Sequence, residues 1–409
     1  MNKKKIINDP VYGFITIPSE LVFDLIQHPY VQRMRYIKQL GMTHLVYPGA
    51  LHTRFHHAIG AMHLMCMAVE TLKNKGHVIS KEEEEAVTIA ILLHDIGHGP
   101  FSHALEHSIV EGISHEHISA LLMDNLNKEF KGRLKMAIDI FNQKYSKKFL
   151  YQLVSGQLDI DRMDYLNRDS YFTGVSEGVI SFDRIIKMLD VVNDQLVVQE
   201  KGMYSIENFL IARRLMYWQV YLHKTVIGAE QLLVKILQRA KELSFKGKTL
   251  FATPNFSHFL NNSITSEDFS QNSEHLKRFS MLDDNDIFTS IKVWVNHDDL
   301  ILSTLCKNMI NRNLYQVEIT NDPPPLNRIN ELSAFVCNRF GIDDDDISYF
   351  VFTDIIKNNA YKVGDGSIQI LMKSGLVQDI TTASDNSNVK ALTQTVQKYI
   401  LCYVKGIKS

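Results

Sequence analysis

The sequence predicts a mainly α protein: a helical bundle followed by a smaller mixed α+β C-terminal part. Apolar residues recur at helical spacing from Pro18 to about Ala240. Capping and stop signals divide that stretch into separate helices. After about residue 245 the chain turns polar and turn-rich, and short alternating runs replace the helical pattern. With 409 residues and domains of roughly 100–200 residues as the usual size, the expected division is 1–244 and 245–409.

The elements follow in order. "PYVQRMRYIKQLG" opens with Pro29 and closes with Gly41, the residues that suit a helix start and stop. A second helix runs from about Thr53 to near Gly76. Ser80 and Glu83 form a capping-box pattern ahead of "AVTIAILL", which is apolar on every side and predicts a helix at the centre of the core. Gly97, Gly99 and Pro100 break that helix, so His94 and Asp95 fall at its polar end. Further helices are predicted at about 114–127, 131–143, 146–155, 161–170, 181–190 and 207–240. A short hairpin is predicted from "LVVQE" and "GMYSI" on either side of Lys201. In the C-terminal part "LYQVEIT", "ISYFVFTD" and "GSIQILM" alternate like strands. There is no internal repeat, P-loop or GxGxxG.

Composition excludes several classes. A net charge of −2 argues against a chain built to coat nucleic acid or anionic lipid. Cys66, Cys306, Cys337 and Cys402 are isolated, with no CxxC spacing, so a disulfide framework is not expected and a cytoplasmic setting is. The opening "MNKKKIINDPVYGFITIP" lacks an apolar signal core, and no run approaches the roughly 18 apolar residues that a membrane span requires.

Histidine is the unusual component. Of 17, 12 lie between His44 and His117, a concentration that points to metal or proton chemistry. "HDIGHGPFSH" (94–103) carries three of them, with Asp95. His57 shares a helix face with Arg54 one turn earlier. In "SGQLDIDRMDYLNRD" (155–169), a helix from Asp161 would gather Asp161, Tyr165, Arg168 and Asp169 within about 100° of arc. A buried bundle has no packing use for that polar stripe. Two imidazoles and two carboxylates suit Mn, Fe, Ni, Co or Zn, and facing helices of a bundle can each supply a ligand. The bland alternative is that His94 and Asp95 simply cap a helix end.

The order RFxH (54–57), HD (94–95), GHGPFSH (97–103), HE (115–116) and DxDRMDYLxRD (159–169) resembles the HD-domain phosphohydrolases. It is most similar to their deoxynucleoside triphosphate triphosphohydrolase branch. "NDPVYGFI" and "QLGMTHLVYPGALHTRFHH" look like the same family's opening, and the likeness covers about residues 6–240, with an HD core at about 50–170.

The resemblance implies one divalent metal ion (Mn, Fe, Ni, Co, Zn or Mg) held by His57, His94, Asp95 and Asp161, with additional Mg accompanying the nucleotide. It assigns acid/base and phosphate-contacting roles to His98, His103, Glu106, His115 and Glu116. His103 is taken as the general acid and His98 as the alternative. Arg54 and Arg162 flank the proposed ligands and can offer charge to phosphate; by the same likeness Arg213 and Lys224 would contact phosphate, Tyr165, Asp169 and Tyr221 would flank sugar and base, and Gln39 would read the sugar 3′-hydroxyl. Two of these groups also have plainer readings. His115 and Glu116 fit a solvated helix start after Ser114, and Arg213 to Lys224 fits an amphipathic core helix with 213, 217 and 224 on one face.

Two departures stand out. The family's RFEHS is RFHHA here, so His56 and His57 compete for the ligand role, and Glu106 stands where a shorter carboxylate is found. The implied activity is hydrolysis of a deoxynucleoside triphosphate to deoxynucleoside and inorganic triphosphate. Two alternatives stay open: phosphohydrolase or phosphodiesterase action on another nucleotide or phosphoester, and a nucleotide-binding regulator without turnover. The implied partners are a phosphorylated small molecule and further copies of the chain, as a dimer or larger homo-oligomer; neither a membrane nor nucleic acid is expected.

Overall fold

A computed structural model describes residues 5–101, 112–271, 273–364 and 366–405. The architecture is mainly helical with small sheets. A hairpin of β1 (Ile6–Asp9) and β2 (Gly13–Thr16) precedes α1 (Glu20–Gln27) and α2 (Pro29–Arg33). The helix expected from Pro29 to Gly41 ends early. After a single tight turn at Met34–Tyr36 the backbone extends, Lys38 bridges Thr53, and the Gln39 N–H donates to His52 O at 3.0 Å. Tertiary pairing with the start of the next helix overrides the local propensity there.

The centre of the bundle is α3 (Arg54–Asn74) against α4 (Lys81–Leu93). The Ser80–Glu83 capping box forms in both directions, at 3.2 and 2.8 Å. Ala86 to Leu93 are all buried, as the all-round apolar pattern requires. Then come α5 (His115–Glu129), α6 (Lys135–Phe141), α7 (Lys148–Val154) and α8 (Ile160–Thr173), the last packing on α3. Gly60 permits that approach: a Cβ there would lie 2.0 Å from Arg168 Nη2 and 2.1 Å from Asp164 Oδ1.

Two elements differ from expectation. After α9 (Phe182–Met188), the hairpin pairs β3 (Leu189–Val192) with β4 (Gln195–Gln199), while Met203 already starts α10 (Met203–Met216). The turn is Asn193-Asp194 with φ of +50° and +62°, residue types that tolerate the left-handed region a two-residue hairpin turn needs. The single helix expected over 207–240 is two: α10 passes through a π turn at Tyr217–Tyr221 and breaks before α11 (Lys224–Phe245). His223 is extended and its Nδ1 accepts the Thr225 N–H.

Helices fill most of residues 254–340, with β5 (Gln316–Thr320) ahead of the last of them, and after it come β6 (Val351–Asn358), β7 (Gln369–Leu371), β8 (Val377–Asp379) and β9 (Val396–Tyr403). The expected "ISYFVFTD" strand begins only at Val351, because Asp344–Tyr349 is a 3-10 turn, and β9 had not been expected. β9 lies between β5 and β6, antiparallel to both. β7 pairs parallel with β4, so strands from either side of residue 244 share one sheet, and one apolar cluster runs through both parts. No helix among the described residues is long and apolar enough to cross a membrane.

Candidate metal centre and active site

Three buried helix segments converge on one point. His57 lies in the first turn of α3, His94 at the C-terminus of α4 and Asp161 in the first turn of α8. His57 Nε2 is 3.1 Å from Asp161 Oδ1 and 3.4 Å from His94 Nε2, and His94 Nε2 is 3.5 Å from Asp161 Oδ1. Asp95 Oδ2 lies 3.8 Å from His57 Nε2.

Bonds of about 2.0–2.2 Å to a common ion place neighbouring donors about 3 Å apart, so this donor set fits a divalent metal. Both imidazoles are turned by their other nitrogen. His57 Nδ1 meets Asp164 Oδ2 at 2.7 Å, and His94 Nδ1 meets Ile91 O at 2.6 Å. Each Nε2 is thereby left facing the centre, the usual outer-shell device of a metal site. The structure also chooses between the paired histidines. His56 Nδ1 accepts the Thr53 N–H at 3.1 Å and caps the helix, so it is His57 that faces the centre.

Electrostatics agree. Burial alone would lower the His57 imidazole, but hydrogen bonds to Asp161 and Asp164 outweigh it and raise it to about 10. His94 is raised too, against burial, chiefly by the Asp95 charge. Burial works against ionised Asp95, but His94, Arg54 and His98 hold its carboxyl well below the usual range. The metal-free His57 therefore carries a proton at pH 7, and a metal must displace it. Affinity should fall about tenfold for each unit of acidification per proton displaced. Titration calorimetry in two buffers of different ionisation enthalpy should show at least one proton released per metal at pH 7. No release would mean that His57 is already neutral.

Around this centre the other expected residues take clear places. Arg54 Nη1 donates to Asp95 Oδ2 at 2.5 Å. Asp95 Oδ1 is 3.3 Å from both His94 Nε2 and His98 Nε2, and so joins the metal-type donors to a second group formed with His98 and His115. The His98 and His115 rings stack at 3.8 Å and 19°. His115 Nε2 is 3.3 Å from Glu116 Oε1 on a largely exposed glutamate. Burial and the Arg54 charge push His98 well below the ordinary histidine range, so it is neutral at pH 7. His103 and Glu106 lie outside the described residues.

The stripe on α8 does not act as one face. Asp161 turns to the histidines. Arg168, fully buried, forks onto Asp164 at 2.9 Å and reaches Asp9 at 2.7 Å. Asp169 takes His52 Nε2 at 2.7 Å and the Tyr221 hydroxyl at 2.8 Å. Tyr165 sets its ring edge-to-face against Tyr221, 6.3 Å away, and Tyr217 packs 5.2 Å from Tyr221. Arg162 pairs with Asp159, and Arg213 donates to Ala360 O at 3.2 Å. Each keeps a buried Nε–H without a hydrogen-bond partner among the described residues, as does the Gln39 side-chain oxygen. Lys224 is exposed at the start of α11. The π turn and the break at His223 interrupt the helix between Tyr217 and Lys224, so the regular spacing expected to put 213, 217 and 224 on one face does not run through.

Sequence reading missed His52, Asp164, Asp9 and Ser119. Asp164 had a local signal, one helical turn after Asp161. Ser119 Oγ donates to His94 O at 2.7 Å and accepts the Gly97 N–H at 3.0 Å, fixing α5 beside the HD turn. A cavity of about 580 Å³ opens elsewhere, between α7, β4 and β7. Among the described residues no histidine or carboxylate lines it, and the Gln152 and Gln157 amides in its wall are bonded to Gln195, Leu196 and Lys362.

Residues 54–169, which contain all four expected metal ligands, match the HD domain, and residues 180–253 match the HD associated region. A phosphohydrolase of Bacteroides thetaiotaomicron of known crystal structure is 54% identical, with a TM-score of 0.95 over 98% of this chain and 100% of that one. The chain belongs to the HD-domain phosphohydrolases. An uncharacterized protein of Bacillus subtilis is 33% identical over 94% of this chain and 88% of its own length. The deoxynucleoside triphosphate triphosphohydrolase SAMHD1 homolog of Dictyostelium discoideum is 34% identical over 54% of this chain. The chain spans about half of that relative, 46% of its length. As in HD domains generally, the His/Asp group is suited to a divalent metal, and the substrate class is a phosphorylated small molecule.

Proposed function

We propose that this HD phosphohydrolase cleaves deoxynucleoside triphosphates to deoxynucleoside and inorganic triphosphate. The observation that carries the proposal is the layout of α8. Its first turn gives Asp161 to the metal-type donors, and two turns on Asp169 is locked between His52 and Tyr221 beside Tyr165. A phosphate-activating centre thus adjoins a buried aromatic and carboxylate wall of the kind that suits a sugar and base.

His57, His94, Asp95 and Asp161 would hold a divalent ion, which when bound would supply Lewis acidity and lower the pKa of water toward neutral. The protein does the rest. Arg54, tied to Asp95, and the Nε–H groups of Arg162 and Arg213, without partners among the described residues, offer positive charge to the triphosphate, and the exposed Lys224 is assigned to phosphate as well. Water adds to the α-phosphorus, the bond to the sugar 5′-oxygen breaks, and that oxygen must gain a proton. A neutral His98 has no surplus proton to give, so His103 with Glu106 is assigned as donor, and His98, stacked on His115 with Glu116 behind it, orients phosphate. Gln39, its buried side-chain oxygen without a partner among the described residues, is assigned to the 3′-hydroxyl. Additional Mg accompanies the nucleotide, and the enzyme is assigned to the cytoplasm as a homo-oligomer.

Anion-exchange analysis after incubation with each dNTP and Mn or Mg tests this, with inorganic triphosphate expected in step with deoxynucleoside. Release of monophosphate alone from other nucleotides would overturn the substrate assignment, and tight nucleotide binding without turnover would overturn the catalytic one.

A further inference from the structure

The turn that carries His98 is gripped from outside by two side chains that touch none of the metal-type donors. Arg33, buried at the end of α2, donates through Nη2 to Ile96 O at 2.7 Å and His98 O at 2.8 Å. Through Nη1 it donates to Leu282 O at 2.8 Å and Phe279 O at 3.5 Å. Its guanidinium also lies over the Phe279 ring, 5.5 Å away. Asp284, 3% exposed, accepts the Phe101 N–H at 2.8 Å on one oxygen. Its other oxygen accepts the Lys38 N–H at 3.0 Å, with Lys38 Nζ at 3.4 Å.

Both ends of residues 96–101 are therefore tied to the segment 279–284, which lies in the C-terminal part. The tie matters because Phe101 has φ +50°, a left-handed conformation costly for an aromatic residue. The Asp284 bond holds a backbone that local preference would release. Lys38, the residue that shares Asp284, bridges Thr53 immediately before Arg54. Asp284 thus links the two strands of chain that enter the site. His57 and Asp161 are set by other helices and do not depend on this turn.

We propose that Arg33 and Asp284 are positioning residues: they fix the 96–101 turn, and with it the His98 imidazole, against the metal centre. The segment 279–284 then acts as an outer wall of the active site. The inference rests on the phosphohydrolase reading only in its turnover measurement.

The test uses the full-length protein with Asp284→Asn and Arg33→Lys. An amide offers one acceptor where Asp284 offers two, so either Phe101 or Lys38 faces an NH2 group. Lysine keeps the charge of Arg33 but loses the planar fork that meets four carbonyls. Three quantities are measured: Mn bound per chain, hydrogen exchange of peptides covering 96–101 and 54–74, and kcat and KM with the dNTP that the wild type hydrolyses fastest.

We expect Mn stoichiometry to be unchanged, exchange to accelerate about tenfold or more in 96–101 alone, and kcat to fall about 10- to 100-fold with KM nearly constant, as for a misplaced catalytic group. Uniformly faster exchange along the chain with unchanged kcat per metal-loaded protein would mark a merely structural role and overturn the proposal. Loss of Mn together with activity would overturn it too, since the clamp would then hold the whole centre. Should Arg33→Lys fail to fold, the nearly isosteric Asp284→Asn carries the test. A wild type that hydrolyses no dNTP defeats the substrate assignment and leaves exchange and metal content to decide this one.

Discussion

Asp161→Ala should yield a folded protein that binds no stoichiometric metal and has lost its hydrolase activity. Among the described residues Asp161 is the one carboxylate that lies within 3.5 Å of both proposed imidazole ligands. Its side chain is about one-quarter exposed, so truncation opens no deep cavity and leaves the core of α8 in place. Only the centre is damaged. Two imidazoles and the more distant Asp95 remain, and Asp95 is already committed to Arg54. Removing an outer-shell group from a metal site typically costs 10- to 100-fold, so loss of an inner ligand should exceed roughly 10³-fold in activity. Metal analysis after dialysis and product analysis with wild-type protein alongside provide the check. Stoichiometric metal and substantial turnover in this variant would remove Asp161 from the ligand set.

The largest effect on stability should come from Asp164. It is fully buried, holds His57 Nδ1 at 2.7 Å and takes both arms of the Arg168 fork. Asp164→Ala leaves the guanidinium buried with only Asp9 as its carboxylate partner, and breaking a buried pair from one side costs about 3–5 kcal/mol. Asp164→Asn keeps the shape but turns an amide NH2 toward Arg168. It should be milder in stability, yet still weaken metal binding about 10- to 100-fold, because His57 loses its anionic anchor.

The pH dependence has a definite sign. Burial opposes ionisation of Asp164, but Arg168 and His57 win and lower its pKa. Its contribution to stability is therefore present above the ordinary carboxylate pKa and lost as pH falls through the depressed folded value. Denaturant titration of wild type and both variants, at pH 7 and again in acid, measures this. An Asp164→Ala protein within 1 kcal/mol of wild type would show that the network is not the anchor of α8 on α3. Gly60→Ala attacks the same contact from the other side and should destabilise for the same reason, since its Cβ would overlap the pair.

Much of the centre was legible locally. The capping box at Ser80, the apolar run to Leu93 and the Gly-Pro break together placed His94 and Asp95 at a helix end, where the structure has them. The ligand role of His57 was not decided by residue type, since His56 is chemically equal. Capping geometry decides it, with His56 three residues after the N-cap and bonded back to Thr53. Asn193-Asp194 carries a local turn signal, and the hairpin forms there and not around Lys201. The propensities of 29–41 favour a helix through Gln39, and only pairing with residues 52 and 53 draws it into extended backbone.

What the sequence determined by itself is the chemistry: which side chains can take a metal, where helices start and stop, and the order in which the motifs arrive. Those are properties of residue type and of spacing within a turn or two of helix. The tertiary structure decided which of those side chains meet. It sent Arg168 to Asp9, gave Asp169 to His52 and Tyr221, and brought Phe279, Leu282 and Asp284 from about 180 residues away onto the turn of His98. Contacts at that separation follow from how the packed helices close on one another, so no local pattern records them.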